Sequence, residues 1–114
     1  MVTAKVRWSD QVEAYVRSKA PVPRRELWQG IKALATWNGR EQEPRIRHLE
    51  DELSAYSRLR VRGHRVIFRE ACDAGERQIL CLFAGPRKTV YEAFEELLLD
   101  ELTLPHPSGQ PPTG

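Results

Sequence analysis

No stretch of this chain approaches the roughly 18–20 apolar residues that a membrane-spanning helix needs, and its first ten residues lack the apolar run of a secretory leader. A cytoplasmic setting without membrane attachment is the expectation. Cysteine is almost absent: Cys72 and Cys81 stand alone, and no cluster of Cys and His ligands offers the spacing of a structural metal site. If residues 65–72 and 77–84 pair around Asp73–Glu76, the two sulfurs fall on different rungs, so reduced thiols are expected. Neither a metal nor an organic cofactor is implied, and internal repeats are lacking. Acid is also missing where it would be easy to place. Residues 58–69, "RLRVRGHRVIFR", hold five arginines and a histidine without one carboxylate.

What is present suffices for one domain with its own core. Of 114 residues, 40% are hydrophobic and 30% charged, the balance of an ordinary globular chain. The domain is expected to span 1–103, followed at 104–114 by a disordered tail ending in "PHPSGQPPTG". The net charge of +2 is small but unevenly spread: 58–69 is purely basic, whereas Glu92, Glu95, Glu96, Asp100 and Glu101 make 92–101 purely acidic. A basic block of this kind suits an anionic partner; an ordinary solvated face is the competing reading.

Hydrophobic spacing orders the elements. Residues 3–8 alternate as a short strand. Ser9-Asp10 offers an N-cap for a helix to about Lys19, with Val12, Tyr15 and Val16 on one face. Pro21 is expected to end it and Pro23 to open a second helix carrying Leu27, Trp28, Ile31, Leu34 and Ala35, which stops at Asn38-Gly39. Residues 40–52 are polar, with a short strand near Ile46. From Ser57 the pattern becomes a strand, a tight turn at Arg62-Gly63-His64, a strand to about Cys72, a turn at Asp73–Glu76, and a strand at 77–84 that is apolar on both faces. A helix over Thr89 to about Leu102 closes the domain. Helices against a mostly antiparallel sheet make this an α+β fold.

The lead-in residues Leu49, Leu53 and Tyr56, the hairpin "RLRVRGHRVIF", the apolar strand and the closing "GPRKTVYEAF" resemble the RelE/ParE superfamily of bacterial toxins from type II toxin–antitoxin modules. The resemblance covers roughly residues 3–100. Arg58, Leu59, Arg60, Val61, Arg65, Val66, Ile67 and Phe68 match the hairpin; Arg87, Val90, Tyr91 and Glu92 match the closing segment. Two departures fall in the turn: the family's glycine stands one place on, at Gly63, with Arg62 in its site, and His64 replaces the usual aromatic. The resemblance implies two N-terminal helices on a twisted, mostly antiparallel sheet of three or four strands, with a C-terminal helix.

It also implies a chemistry. The RelE-like branch, favoured by Arg65, Arg87 and Tyr91 together, consists of metal-independent messenger-RNA endonucleases, most of which act on the ribosome and stop translation. The ribose 2′-hydroxyl attacks the adjacent phosphate and the 5′-oxygen leaves, which needs a group for the 2′ proton and cations for the phosphorane. Carried over, Tyr91 orients or deprotonates the 2′-hydroxyl, Arg65 and Arg87 stabilise developing charge, and Arg58, Arg60 and Arg62 hold RNA phosphates. Each has a plainer reading. Tyr91 shares a helical face with Phe94 and Leu98 and equally suits the core; Arg58 and Arg60, two apart in a strand, equally suit a solvated edge. His48 and His64 are lesser acid–base candidates. Two alternatives stay open: a ParE-like inhibitor of DNA gyrase, and a non-catalytic toxin fold that only binds an antitoxin. All three readings imply a cognate antitoxin and a toxin–antitoxin hetero-oligomer.

Overall fold

In the computed structural model of the protein, which describes residues 3–103, Ser9 caps the first helix as its position predicts. Its Oγ accepts from the Val12 amide at 3.2 Å and so satisfies one of the orphan donors of helix α1, Asp10–Arg17. Helix α2, Pro21–Ala33, starts two residues earlier than expected: Pro21, not Pro23, fills the first helical position, because a missing N–H costs nothing there. The α-helix also ends earlier, at Ala33, and tightens into a 3-10 turn over Leu34–Thr36.

The sheet has five strands, not three or four. They are β1 (Lys5–Trp8), β2 (Ile46–His48), β3 (Ser57–Val61), β4 (His64–Asp73) and β5 (Glu76–Pro86), in the order β1-β5-β4-β3-β2. β1 adds to the far edge in parallel with β5, pairing Lys5 with Gln78 through Trp8 with Cys81. That pairing joins segments about seventy residues apart and leaves no local signal, whereas the β3–β4–β5 meander is antiparallel and joined by tight turns. Helix α3, Val90–Thr103, follows β5. The tail expected at 104–114 lies outside the described residues. Among the described residues, no helix is long and apolar enough to cross a membrane.

Two cores result, one on each face of the sheet. Val12, Val16, Leu27 and Ile31 from α1 and α2 pack on Leu59, Val66, Phe68, Ile79, Cys81 and Ala84. On the other face Val90 and Phe94 of α3 pack on Ile67, with Tyr56, Leu82 and Phe83 around them. A bulge serves the second core: Ile67 pairs with Phe83 but Phe68 with Cys81, so Leu82 is unmatched and packs with Phe83 on the α3 side. This is why 77–84 reads as apolar on both faces. Cys72 and Cys81 are both free, and burial pushes the Cys81 thiol up to about 12.

Where β1 stops, α1 completes the edge of β5. The Ser9 amide donates to Cys81 O at 3.0 Å and Ser9 Oγ to Leu82 O at 2.9 Å. The Gln11 carboxamide then imitates a strand, donating to Ala84 O at 2.7 Å and accepting from Ala84 N at 2.8 Å. Gln11→Ala is expected to destabilise the domain by about 1–3 kcal/mol, because it orphans both backbone groups of a buried residue. Urea unfolding checks this; an unchanged midpoint would show that water replaces the amide.

Candidate functional site

Strand alternation sets the site. On β3, Leu59 and Val61 turn toward the α1–α2 core, so Arg58 and Arg60 share the opposite face. Arg60 lies directly across from Arg65 on β4, and Arg58 across from Ile67, which adds Arg65 to the same face. Helix α3 covers only the Ile67 end of that face. Beyond its first turn, a cleft of about 550 Å³ remains, lined by Arg58, Arg60 and Arg65 on its floor, by Arg87 and Tyr91 from the β5–α3 junction, and by residues 43–44 and 47–50 on its rim. Sequence reasoning drew Arg58, Arg60, Arg65, Arg87 and Tyr91 from three segments, and the fold brings all five to one place.

The electrostatics of the cleft are lopsided. Five arginines line it against two glutamates, and one of those, Glu43, is already taken by Arg47 at 2.6 Å. Among the described residues, Arg58, Arg60, Arg65 and Arg87 have no carboxylate within ion-pair distance, whereas Arg17, Arg47, Arg62 and Arg77 each have one. Two of the unpaired four are deeply placed: Arg58 is 8% exposed and Arg65 4%. Their polar partners are neutral carbonyls. Arg58 Nη1 donates to Pro44 O at 2.7 Å, and Arg65 Nη1 donates to Arg62 O and His64 O at 2.8 and 2.9 Å. Burial, and then the neighbouring Arg58, push the Arg65 guanidinium below its ordinary pKa, with Arg60 and Arg87 adding to the push and Tyr91 opposing it. A buried cation facing like charges is costly unless an anion joins it.

Tyr91 occupies both of the positions open to it. Half-buried, it packs against the Ile67–Val90–Phe94 core and also faces the cleft. Arg87 is exposed at the mouth, and its amide donates to Gly63 O at 2.9 Å.

Three residues depart from expectation. Arg62 does not join the cleft: its guanidinium crosses to the α2 side and pairs with Glu26, with Nη2 donating to Oε2 at 2.9 Å. The reason is local, because Arg62 takes a left-handed backbone (φ +54°) in the two-residue turn, beside a Gly63 that does not. His64 also faces the helices, its Nδ1 hydrogen-bonded to the Tyr15 hydroxyl at 2.7 Å. His48, a lesser candidate by sequence, lies in the cleft instead. Its Nδ1 is 2.8 Å from the hydroxyl of buried Ser57, which fixes one ring nitrogen and leaves the other available. Its place on an edge strand opposite Ser57 was the missing signal. Among the described residues, no three His, Cys, Asp or Glu side chains gather closely enough to hold a metal ion.

No family model matches the chain, and no curated protein matches it in sequence. Solved structures do match its fold. The RelBE2 toxin–antitoxin complex of Mycobacterium tuberculosis aligns with a TM-score of 0.57 at 18% identity, over 75% of this chain and 100% of that one. The archaeal RelE–RelB complex of Pyrococcus horikoshii aligns at 0.58 and 22%, over 75% and 96%. A YoeB/ParE toxin of Agrobacterium tumefaciens aligns at 0.55 and 16%, over 72% and 97%. The chain therefore has the fold of these toxins.

Proposed function

We propose that this protein is the toxin of a toxin–antitoxin pair and cleaves messenger RNA in the arginine cleft, without a metal and on the translating ribosome in the cytoplasm. One observation carries the reading: four arginines without carboxylate partners among the described residues converge on one cleft beside a tyrosine and a histidine. The missing counter-charge is a phosphate. Guanidinium groups suit it because each presents a planar fork of donors to paired phosphate oxygens and keeps its charge at any working pH.

The positions support one assignment of roles. Arg58 and Arg60 seat the phosphate flanking the scissile bond, and Arg65 and Arg87 take the charge that grows on the phosphorane oxygens. Tyr91 orients the ribose 2′-hydroxyl, whose proton leaves through the phenol to solvent as the 2′-oxygen bonds to phosphorus. His48, steadied by Ser57, gives a proton to the 5′-oxygen as its bond to phosphorus breaks. The products are a 2′,3′-cyclic phosphate and a free 5′-hydroxyl. Two of the structures that share the fold are toxin–antitoxin complexes, and an antitoxin segment carrying carboxylates would occupy the same cleft and silence it.

Expression in a bacterium, with message 5′ ends mapped beside gyrase-linked DNA breaks, tests the reading. New RNA ends are expected that disappear in Arg87→Ala and fall sharply in Tyr91→Phe. DNA breaks with intact messages would instead identify a gyrase inhibitor, and harmless expression of the folded chain a protein that only binds.

A further inference from the structure

The turn between β3 and β4 bears on both arginines assigned to the phosphorane. Three successive carbonyls, those of residues 62, 63 and 64, all accept from them. Arg65 Nη1 reaches Arg62 O at 2.8 Å and His64 O at 2.9 Å, and the Arg87 amide reaches Gly63 O at 2.9 Å. Meanwhile the side chains of the same turn point the other way. Arg62 forks onto Glu26 of α2, and His64 takes the Tyr15 hydroxyl of α1.

We infer that Arg62 is a positioning residue: with Glu26, and with the Tyr15–His64 pair beside it, it clamps the turn to the helical layer so that the turn's carbonyls hold Arg65 and Arg87 in the cleft. The backbone supports this. A non-glycine residue at φ +54° bears a steric cost that glycine would avoid, and Gly63 next to it does not take that conformation. An arginine held there at such a cost gains what glycine cannot supply, a two-pronged ionic anchor to another element. The pairing draws the Glu26 carboxyl below its ordinary range, chiefly through the hydrogen bond from Arg62. At the second anchor, burial raises the Tyr15 phenol and, ahead of Lys19 and Arg65, lowers the His64 imidazole. The two rings share one hydrogen bond, between the Tyr15 hydroxyl and Nδ1 of His64.

The inference takes its consequence for catalysis from the RNA-cleavage reading, but the clamp can be measured separately. Two readouts are needed: cleavage of a short messenger bound to purified ribosomes, and the guanidinium NMR signals of Arg65, whose rotation is hindered while both carbonyls hold it. Arg62→Gly is the first variant, because glycine accepts the turn's conformation and keeps the domain folded. It is expected to lower kcat by roughly 10–100-fold, as small misplacements of reacting groups do, with a smaller change in KM and faster rotation at Arg65. Arg62→Glu should do the same, and the exchanged pair Glu26→Arg with Arg62→Glu should recover most of both signals. Wild-type kcat and an unaltered Arg65 signal in Arg62→Gly would overturn the inference. So would an exchanged pair that folds yet stays as impaired as Arg62→Glu, since that is the result if Arg62 itself grips phosphate. Should the wild-type protein cut no RNA, the cleavage reading fails, and the Arg65 signal in these variants alone decides the clamp.

Discussion

Arg65→Met is expected to reduce RNA cleavage by about 10²–10³-fold while leaving the domain's stability within about 1 kcal/mol of wild type. The two halves of this result have one origin. Arg65 is 4% exposed and faces Arg58, Arg60 and Arg87 with no carboxylate in reach among the described residues. Its folded pKa lies below the unfolded one, mainly through burial and then through Arg58. The charged form is thus disfavoured by folding, and the penalty persists at every pH where arginine is protonated, which includes the whole working range. Methionine removes that penalty and keeps much of the volume; against it stands the loss of the hydrogen bonds to Arg62 O and His64 O. The two effects are of similar size, so stability barely moves, while the transition state loses a fixed cation. Pyrophosphate should raise the melting temperature of the wild-type protein and much less that of the variant, because only a ligand that binds the folded state stabilises it. Equal shifts in both proteins, or cleavage at the wild-type rate, would remove Arg65 from the site.

His48→Gln is expected to slow cleavage of ordinary RNA by about 10²–10⁴-fold, the usual worth of a placed general acid. With a substrate whose 5′-bridging oxygen is replaced by sulfur, it should be nearly as fast as wild type. A thiolate leaves without being protonated, so the substitution bypasses the step assigned to His48. The assignment rests on reach and on chemistry. His48 shares the cleft with Arg58, Arg60, Arg65, Arg87 and Tyr91 and is anchored through Nδ1 by Ser57. Arginine, by contrast, is a far weaker acid than a protonated imidazole and so the poorer general acid near neutrality. Tyr91→Phe should be impaired on both substrates, since it acts on the attacking side. Equal impairment of His48→Gln on both would reduce His48 to a structural neighbour of Trp37, whose ring lies 6.1 Å away.

Much of this protein was legible before any fold was known. The capping Ser9, the apolar spacing of the first two helices, and the β3–β4–β5 meander are set by contacts between near neighbours, and local pattern reports such contacts well. The basic hairpin followed by "GPRKTVYE" also named five side chains, Arg58, Arg60, Arg65, Arg87 and Tyr91, that line one cleft. What local pattern lacked was distance in the chain. The parallel seat of β1 and the strand role of Gln11 both depend on partners about seventy residues away.

The functional consequences divide in the same way. By itself the sequence determined that this surface is basic, that Arg58 and Arg60 share a face, and that an arginine and a tyrosine follow the apolar strand, because charge and strand period are properties of the chain. Only the tertiary structure decided which of these charges meet. The direction of a side chain in a turn depends on backbone dihedrals and available partners. Arg62 was therefore drawn to Glu26 and out of the cleft, His64 to Tyr15, and His48 into the cleft through Ser57. The cleft's unpaired positive charge is a property of that sorting, since among the described residues the fold brings no carboxylate to Arg58, Arg60, Arg65 or Arg87 while supplying one to Arg62.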